Sequence, residues 1–168
     1  ALRLSPHFAP AAVNLADLYR QSGRDEDGVA VLREALKLSP DAGGLHHALG
    51  LALVRLKKSD EALESLRLAT ELDPDRARYA YVYAVALDSQ GRRPEAIEVL
   101  KESLKRHQSD RQTLGGLINI TRADGDTAAA LRYAEQLLKL EPENPNLKQL
   151  IKALKDADDQ GSDDQGAQ

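Results

Sequence analysis

The 168-residue chain has no cysteine, no methionine and no tryptophan, and a single phenylalanine. Without cysteine there is no disulfide framework, no thiolate zinc site, no c-type haem attachment and no cysteine nucleophile. Long apolar runs are missing too: none approaches the roughly 20 residues that a membrane-crossing helix needs, and no basic stretch followed by an apolar segment opens the chain. Positive charge is absent beyond Lys155, where Asp156, Asp158, Asp159, Asp163 and Asp164 carry the acidity. Those five aspartates account for the net charge of -4; the remainder holds 23 basic and 22 acidic residues. A near-neutral body has no global attraction to phosphate backbones or anionic lipid, so neither nucleic acid nor membrane is an expected partner.

What is present is a period. Leu4-Ser5-Pro6, Leu38-Ser39-Pro40, Leu72-Asp73-Pro74 and Leu140-Glu141-Pro142 recur at spacings of 34 or twice 34, and Gln108 holds the vacant place. Gly23, Gly91 and Gly125 form a second series in the same period, with Lys57 in its empty slot. Between these marks the apolar residues fall three and four apart, as in Leu15, Leu18, Tyr19 and then Val29, Leu32, Ala35, Leu36. That spacing marks one face of a helix, so the unit is helix, Gly turn, helix, Pro turn, with no alternating strand pattern. Ser109-x-x-Gln112 reads as a capping box, Pro94 as a first-turn proline, and Asn144-Pro145 as the start of a last helix to about Lys155.

These residues resemble the tetratricopeptide repeat. With repeats opening at Ala9, Gly43, Ala77 and Arg111, the first carries Leu15, Ala16, Tyr19, Gly28, Leu32, Ala35 and Pro40 at the family's positions. The second carries Leu49, Gly50, Leu53, Ala62, Leu66, Ala69 and Pro74; the third Tyr83, Ala84, Leu87, Ala96 and Leu100, with Ser103 and Gln108 departing from the pattern. The fourth keeps Leu117, Ala130 and Pro142 and diverges between them. The resemblance implies an all-α, right-handed superhelical solenoid of antiparallel helix pairs with a C-terminal capping helix. Residues 1–8 are the end of a preceding repeat; 9–42, 43–76, 77–110 and a divergent 111–144 are repeats; 145–155 is the cap, and 156–168 a disordered acidic tail. Small residues mark the crossings, Ala16 against Gly28, Gly50 against Ala62, and Ala84 against Ala96.

The opening Ala1 and the lack of methionine suggest a segment of a longer protein with at least one more repeat upstream. Leu2 and Leu4 are expected to pack on the first complete repeat, whose face (Ala11, Leu15, Leu18) is then poorly covered and open to self-association. The stretches 13–20 and 45–51 look like repeat regions appended to bacterial proteins, some of them periplasmic multihaem cytochromes. The segment is expected to be soluble, in a bacterial cytoplasm or periplasm, and carries no targeting signal that would choose between them.

The family resemblance places ligand contacts on the first helix of each repeat, lining a concave groove. On this sequence the candidates are Val13, Asn14, Asp17, Arg20, His47, Leu51, Arg55, Arg78, Tyr81, Val85, Asn119 and Arg122, an apolar centre with charged margins. Gln21, Ala48, Val54, Val82, Asp88, Gln112, Gly115 and Gly116 complete the floor. The family's carboxylate clamp, which holds the acidic end of chaperones, would fall on Val13, Asp17, Ala48, Arg78 and Val82; only Arg78 suits it. Two consecutive glycines, Gly115 and Gly116, each cost a helix about 1 kcal/mol, and imply either close approach of a ligand or divergence of the last repeat. Replacing both by alanine is expected to stabilise the domain.

No catalytic set emerges. His46 and His47 are adjacent and so point about 100° apart on a helix, which excludes joint metal ligation. His7 and His107 both fall in inter-repeat turns, and Asp60, Glu61, Glu64 and Glu71 sit on solvated helix faces. No phosphate-cradling glycine loop precedes a Lys-Ser/Thr pair. The chain is therefore expected not to be an enzyme and to need no metal or cofactor. It is expected to be an interaction scaffold that docks a peptide or helical segment of a partner protein, or alternatively a structural spacer that stacks end to end.

Overall fold

The computed structural model describes the backbone of residues 8–165 and side chains as far as residue 157. The described residues form an all-α solenoid of antiparallel helix pairs: α1 (Phe8–Gln21), α2 (Asp25–Leu38), α3 (Gly43–Arg55), α4 (Ser59–Leu72), α5 (Ala77–Ser89), α6 (Arg93–Arg106), α7 (Arg111–Asp124), α8 (Thr127–Leu140) and α9 (Pro145–Gln165).

The two turn types repeat bond for bond. After each first helix, Gly23, Lys57, Gly91 and Gly125 take φ of 70, 58, 76 and 85°. The following residue donates its N–H to the carbonyl five back: Arg24 to Tyr19 (2.9 Å), Lys58 to Leu53, Arg92 to Leu87 and Asp126 to Thr121 (3.0 Å each). This is the Schellman ending, which asks for a left-handed residue and so for glycine. After each second helix a four-residue turn closes, Ala42 to Ser39 (3.3 Å), Arg76 to Asp73 (3.0 Å), Asp110 to His107 (3.0 Å) and Asn144 to Glu141 (3.1 Å). Proline favours the second place of such a turn, and the turn persists where Gln108 replaces it. His107 also reaches back to the carbonyl of Pro74, with Nε2 at 3.2 Å, tying consecutive inter-repeat turns together.

Close crossings need small side chains. A Cβ on Gly28 would lie 3.3 Å from the Ala16 carbonyl oxygen, and one on Gly50 would lie 2.6 Å from Cγ of Leu66. Ala84 and Ala96 are fully buried, as are the large residues beside the crossings, Leu32, Leu66, Leu100 and Leu117. First helices also pack on one another, α1 on α3 and α5 on α7, while second helices contact mainly their flanking first helices. The first helices therefore form the inner layer of the curve.

Three sequence-based expectations shift. α7 is capped by Asp110 rather than Ser109: its carboxylate accepts the Thr113 N–H at 2.7 Å, one residue past the capping-box reading. α1 takes in Phe8, assigned from the sequence to a preceding repeat. α9 opens as expected, with Asn144 accepting the Leu147 N–H, but runs to Gln165, past the expected boundary at Lys155 and through much of the tail read as disordered. Residues 156–165 hold no proline and one glycine, so nothing breaks a helix already anchored by Leu147, Ile151 and Leu154 against α8. Leu2, Leu4 and His7 lie outside the described residues, as do 166–168.

Candidate functional site

On the inner layer, α1, α3 and α5 enclose a cleft of about 520 Å³. Seven of the twelve candidate residues line it: Val13, Asn14, Asp17 and Arg20 from α1, and His47, Leu51 and Arg55 from α3. The wall between them is made of Ala9, Ala16, Ala48 and Ala52, whose short side chains leave the space open.

The charges at one end of the cleft are largely spent on each other. Arg20 Nε donates to Asp17 at 2.7 Å and Gln21 to the other carboxylate oxygen at 3.0 Å. Those two bonds hold the Asp17 carboxyl below the usual range. Arg55 Nε donates to Asp25 of α2 at 2.7 Å, so this arginine is tied to the preceding helix pair. Asp88, farther along the inner layer, is likewise met by Arg93 of α6 at 2.8 Å.

The other end of the cleft is aromatic. His47 stacks on Tyr79, with ring centroids 4.3 Å apart and planes at 22°. Its Nδ1 is buried with no hydrogen-bond partner. Burial, with a smaller contribution from the charge of Arg78, pushes its pKa down to about 4, so the ring is neutral at pH 7. Tyr79 is 7 % exposed and lines the cleft, although the sequence did not mark it as a contact. Its hydroxyl reaches α3, where a Cβ on Gly44 would stand 3.5 Å away. The legible signal was the size of the residue: the equivalent places in the other repeats hold Ala11, Leu45 and Thr113.

The remaining candidates lie outside this cleft. Tyr81 is half-buried, and its ring edge lies where a Cβ on Gly116 would stand 3.1 Å away. Tyr81 thus bridges α5 and α7 beyond the cleft. Val85 is 46 % exposed. Arg78 and Arg122 are exposed and make no ion pair among the described residues. Asn119 borders a separate cavity of about 250 Å³ between α7 and α9, together with Gly115, Asn144 and Asn146.

At the α1 end, Leu15 and Leu18 are 41 % and 59 % exposed. Leu15 also borders an apolar depression of about 400 Å³ with Phe8, Ala11 and Val31. No helix among the described residues is long and apolar enough to cross a membrane.

Sequence models of the tetratricopeptide repeat match residues 9–42 and 47–111, together more than half of the chain. No curated protein matches its sequence. Among solved structures, the chain is similar to a MamA protein (TM-score 0.74, 18 % identity, 90 % of this chain and 83 % of that one). It is similar also to PilF of Pseudomonas aeruginosa (0.72, 24 %, 92 % and 70 %). A third is YrrB, a tetratricopeptide-repeat protein with an unusual peptide-binding site (0.69, 16 %, 88 % and 76 %). At these identities the likeness is one of fold.

Proposed function

The chain belongs to the tetratricopeptide-repeat family, and from that premise we propose that it docks a short segment of a partner protein in the cleft between α1, α3 and α5. The repeat fold is in general a protein-interaction scaffold rather than an enzyme. The observation that supports the specific surface is convergence: seven side chains at positions implied by the family resemblance border one cleft of about 520 Å³.

The chemistry of the cleft favours a segment with apolar side chains. Val13, Ala48 and Leu51 supply contact area that excludes water, worth about 25 cal/mol per Å² covered. Asp17, Arg20, Arg55 and Asp25 satisfy one another and leave little net charge at the α1 end. Arg78 lies close enough to His47 to act on its charge, and Arg76 lies over the Tyr79 ring, so an acidic residue flanking the apolar anchors is favoured there. YrrB, with a similar fold, is itself a peptide binder, which supports the same class of activity here.

A displayed library of random 16-residue peptides, selected on the purified chain, provides the test. Leu51→Asn is expected to weaken the selected peptides at least tenfold, and Arg78→Glu to weaken those with acidic flanks, with thermal unfolding little changed for the exposed Arg78. Peptides that bind both variants as they bind the parent chain would rule the cleft out.

A further inference from the structure

The outer side of the solenoid is built by the second helices, which pack mainly on first helices and leave seams between one another. Repeat phase gives each seam the same set of places. Thr70 stands where the repeats before and after hold Leu36 and Leu104, Tyr83 where they hold Leu49 and Leu117, and Arg106 where they hold Leu72 and Leu140. Ser103 takes the place of Ala35 and Ala69 in the two preceding repeats. These departures are spread over three helices, yet all of them border one cavity of about 380 Å³ between α4, α5 and α6.

The carboxylates that line the cavity are already met. Glu71 accepts from Arg67 Nη1 at 2.5 Å, and Arg67 is shared with Glu64. Glu102 accepts from Lys105 Nζ at 2.7 Å and feels a smaller attraction from Arg106. The Thr70 hydroxyl donates to the Leu66 carbonyl at 3.0 Å. Two donors on α6 are left over. Arg106 is exposed and makes no ion pair among the described residues. Ser103 is 6 % exposed, and its hydroxyl is buried without a partner, a costly state for a polar group. A serine hydroxyl moves by a single torsion, so a staggered change turns it without disturbing the helix.

Val99, Ser103 and Arg106 follow one another at four and three residues on one face of α6 and span about 10 Å. Val99 marks the apolar end, and Ala80, Pro74 and the ring of Tyr83 complete the apolar wall. The two free donors stand one turn apart at the other end.

We propose that this outer cavity binds a small free organic acid, an aryl or branched-alkyl carboxylate. The Arg106 guanidinium and the Ser103 hydroxyl hold the carboxylate, and Val99, Ala80 and the Tyr83 ring cover the apolar body. Both groups donate and a carboxylate only accepts, so the ligand supplies what the cavity lacks. The volume falls within the range of small-molecule sites. Binding here is independent of any segment docked in the inner cleft.

The probe is 3-phenylpropanoate, titrated into the ¹⁵N-labelled chain and followed by NMR. Saturable shifts are expected in the backbone signals of Ala80, Val99, Ser103 and Arg106. The neutral 3-phenylpropanamide, of the same shape, is expected to bind at least tenfold more weakly. Arg106→Leu installs the residue of both neighbouring repeats, so the fold is kept, and should weaken the acid at least tenfold. Ser103→Ala should weaken it at least threefold, and Thr70→Leu, which narrows the cavity and leaves both donors in place, by a similar factor. A non-saturating shift, equal affinity for the amide, or unchanged affinity in Arg106→Leu would overturn the site. Shifts confined to α1 and α3 would place the acid in the inner cleft and overturn it as well. Tighter binding of acetyl-glycyl-phenylalanine, which carries the same group at a chain end, would assign the cavity to a polypeptide terminus in place of a free acid.

Discussion

The imidazole of His47 lies flat against the ring of Tyr79, 4.3 Å between centroids, and so joins the second repeat to the third at the edge of the cleft. Burial and the neighbouring Arg78 depress the histidine to about 4, from an ordinary value of 6.5. The unfolded chain therefore binds this proton more readily than the folded one between those two values, and stability falls as pH drops through that window. Discounted for partial exposure, the loss by pH 4.5 is about 1–2 kcal/mol. His47→Phe keeps the stack and removes the titration. Urea unfolding of both proteins at pH 7 and 4.5 should show the smaller pH dependence in the variant; equal dependence would remove His47 as its source.

Lys57 is the one described non-glycine residue in the left-handed region, at φ 58°. Its turn makes the same two backbone bonds as those at Gly23, Gly91 and Gly125, so the side chain is tolerated rather than used. A left-handed L-residue costs roughly 1–2 kcal/mol, partly offset by the flexibility that glycine brings to the unfolded chain. Lys57→Gly is expected to raise stability by about 1 kcal/mol, and Gly91→Ala to lower it by a similar amount. For a chain of this size that is a shift of about 2–4 °C in the thermal midpoint, read by circular dichroism.

The paired glycines of α7 should respond in opposite ways. At Gly115 an added methyl group meets nothing, so Gly115→Ala recovers the helix propensity, about 1 kcal/mol. At Gly116 the methyl group would stand 3.1 Å from the Tyr81 ring and 3.2 Å from Leu100, and the displacement of both offsets that gain. The joint stabilisation expected from sequence therefore resolves into a gain at Gly115 and a neutral or unfavourable change at Gly116. Chemical denaturation of the two single variants distinguishes them, and equal stabilisation would mean that Tyr81 does not pack there.

Repeat phase was legible because short-range physics imposes it: left-handed turns select glycine, inter-repeat turns admit proline, and close crossings select small residues. The vacant slot at Lys57 and the replaced proline at Gln108 kept their turns because the flanking helices hold them. Within the inner layer, the contact positions implied by the family resemblance marked the α1 and α3 side chains but passed over Tyr79, which is buried and reaches the cleft through the length of its ring. Nor did phase show which charges were already paired. Arg55 meets Asp25 and Asp88 meets Arg93 across helix boundaries, contacts that depend on how neighbouring helices are set. The extension of α9 was missed because composition alone suggested disorder, while a helix already packed on α8 needs little to continue.

Ser103 occupies the place held by Ala35 and Ala69 in the two preceding repeats, and it is 6 % exposed. Its hydroxyl is buried without a hydrogen-bond partner. Two other buried hydroxyls turn back along their helices, Ser65 Oγ donating to the Glu61 carbonyl at 2.9 Å and Thr121 Oγ1 to that of Leu117 at 2.6 Å, whereas Thr113 Oγ1 is unpartnered like that of Ser103. Ser103 thus bears the desolvation of a hydroxyl without the bond that offsets it, a penalty of about 1–3 kcal/mol. Alanine removes the polar atom and also favours the helix. Ser103→Ala is expected to stabilise the chain by about 1–2 kcal/mol, whereas Ser65→Ala, which gives up a made bond, should change it by less than about 1 kcal/mol in either direction. Urea midpoints at constant slope provide the measurement. A Ser103→Ala variant no more stable than the parent would mean that the hydroxyl finds a partner in solution, as Ser65 does in the carbonyl four residues back.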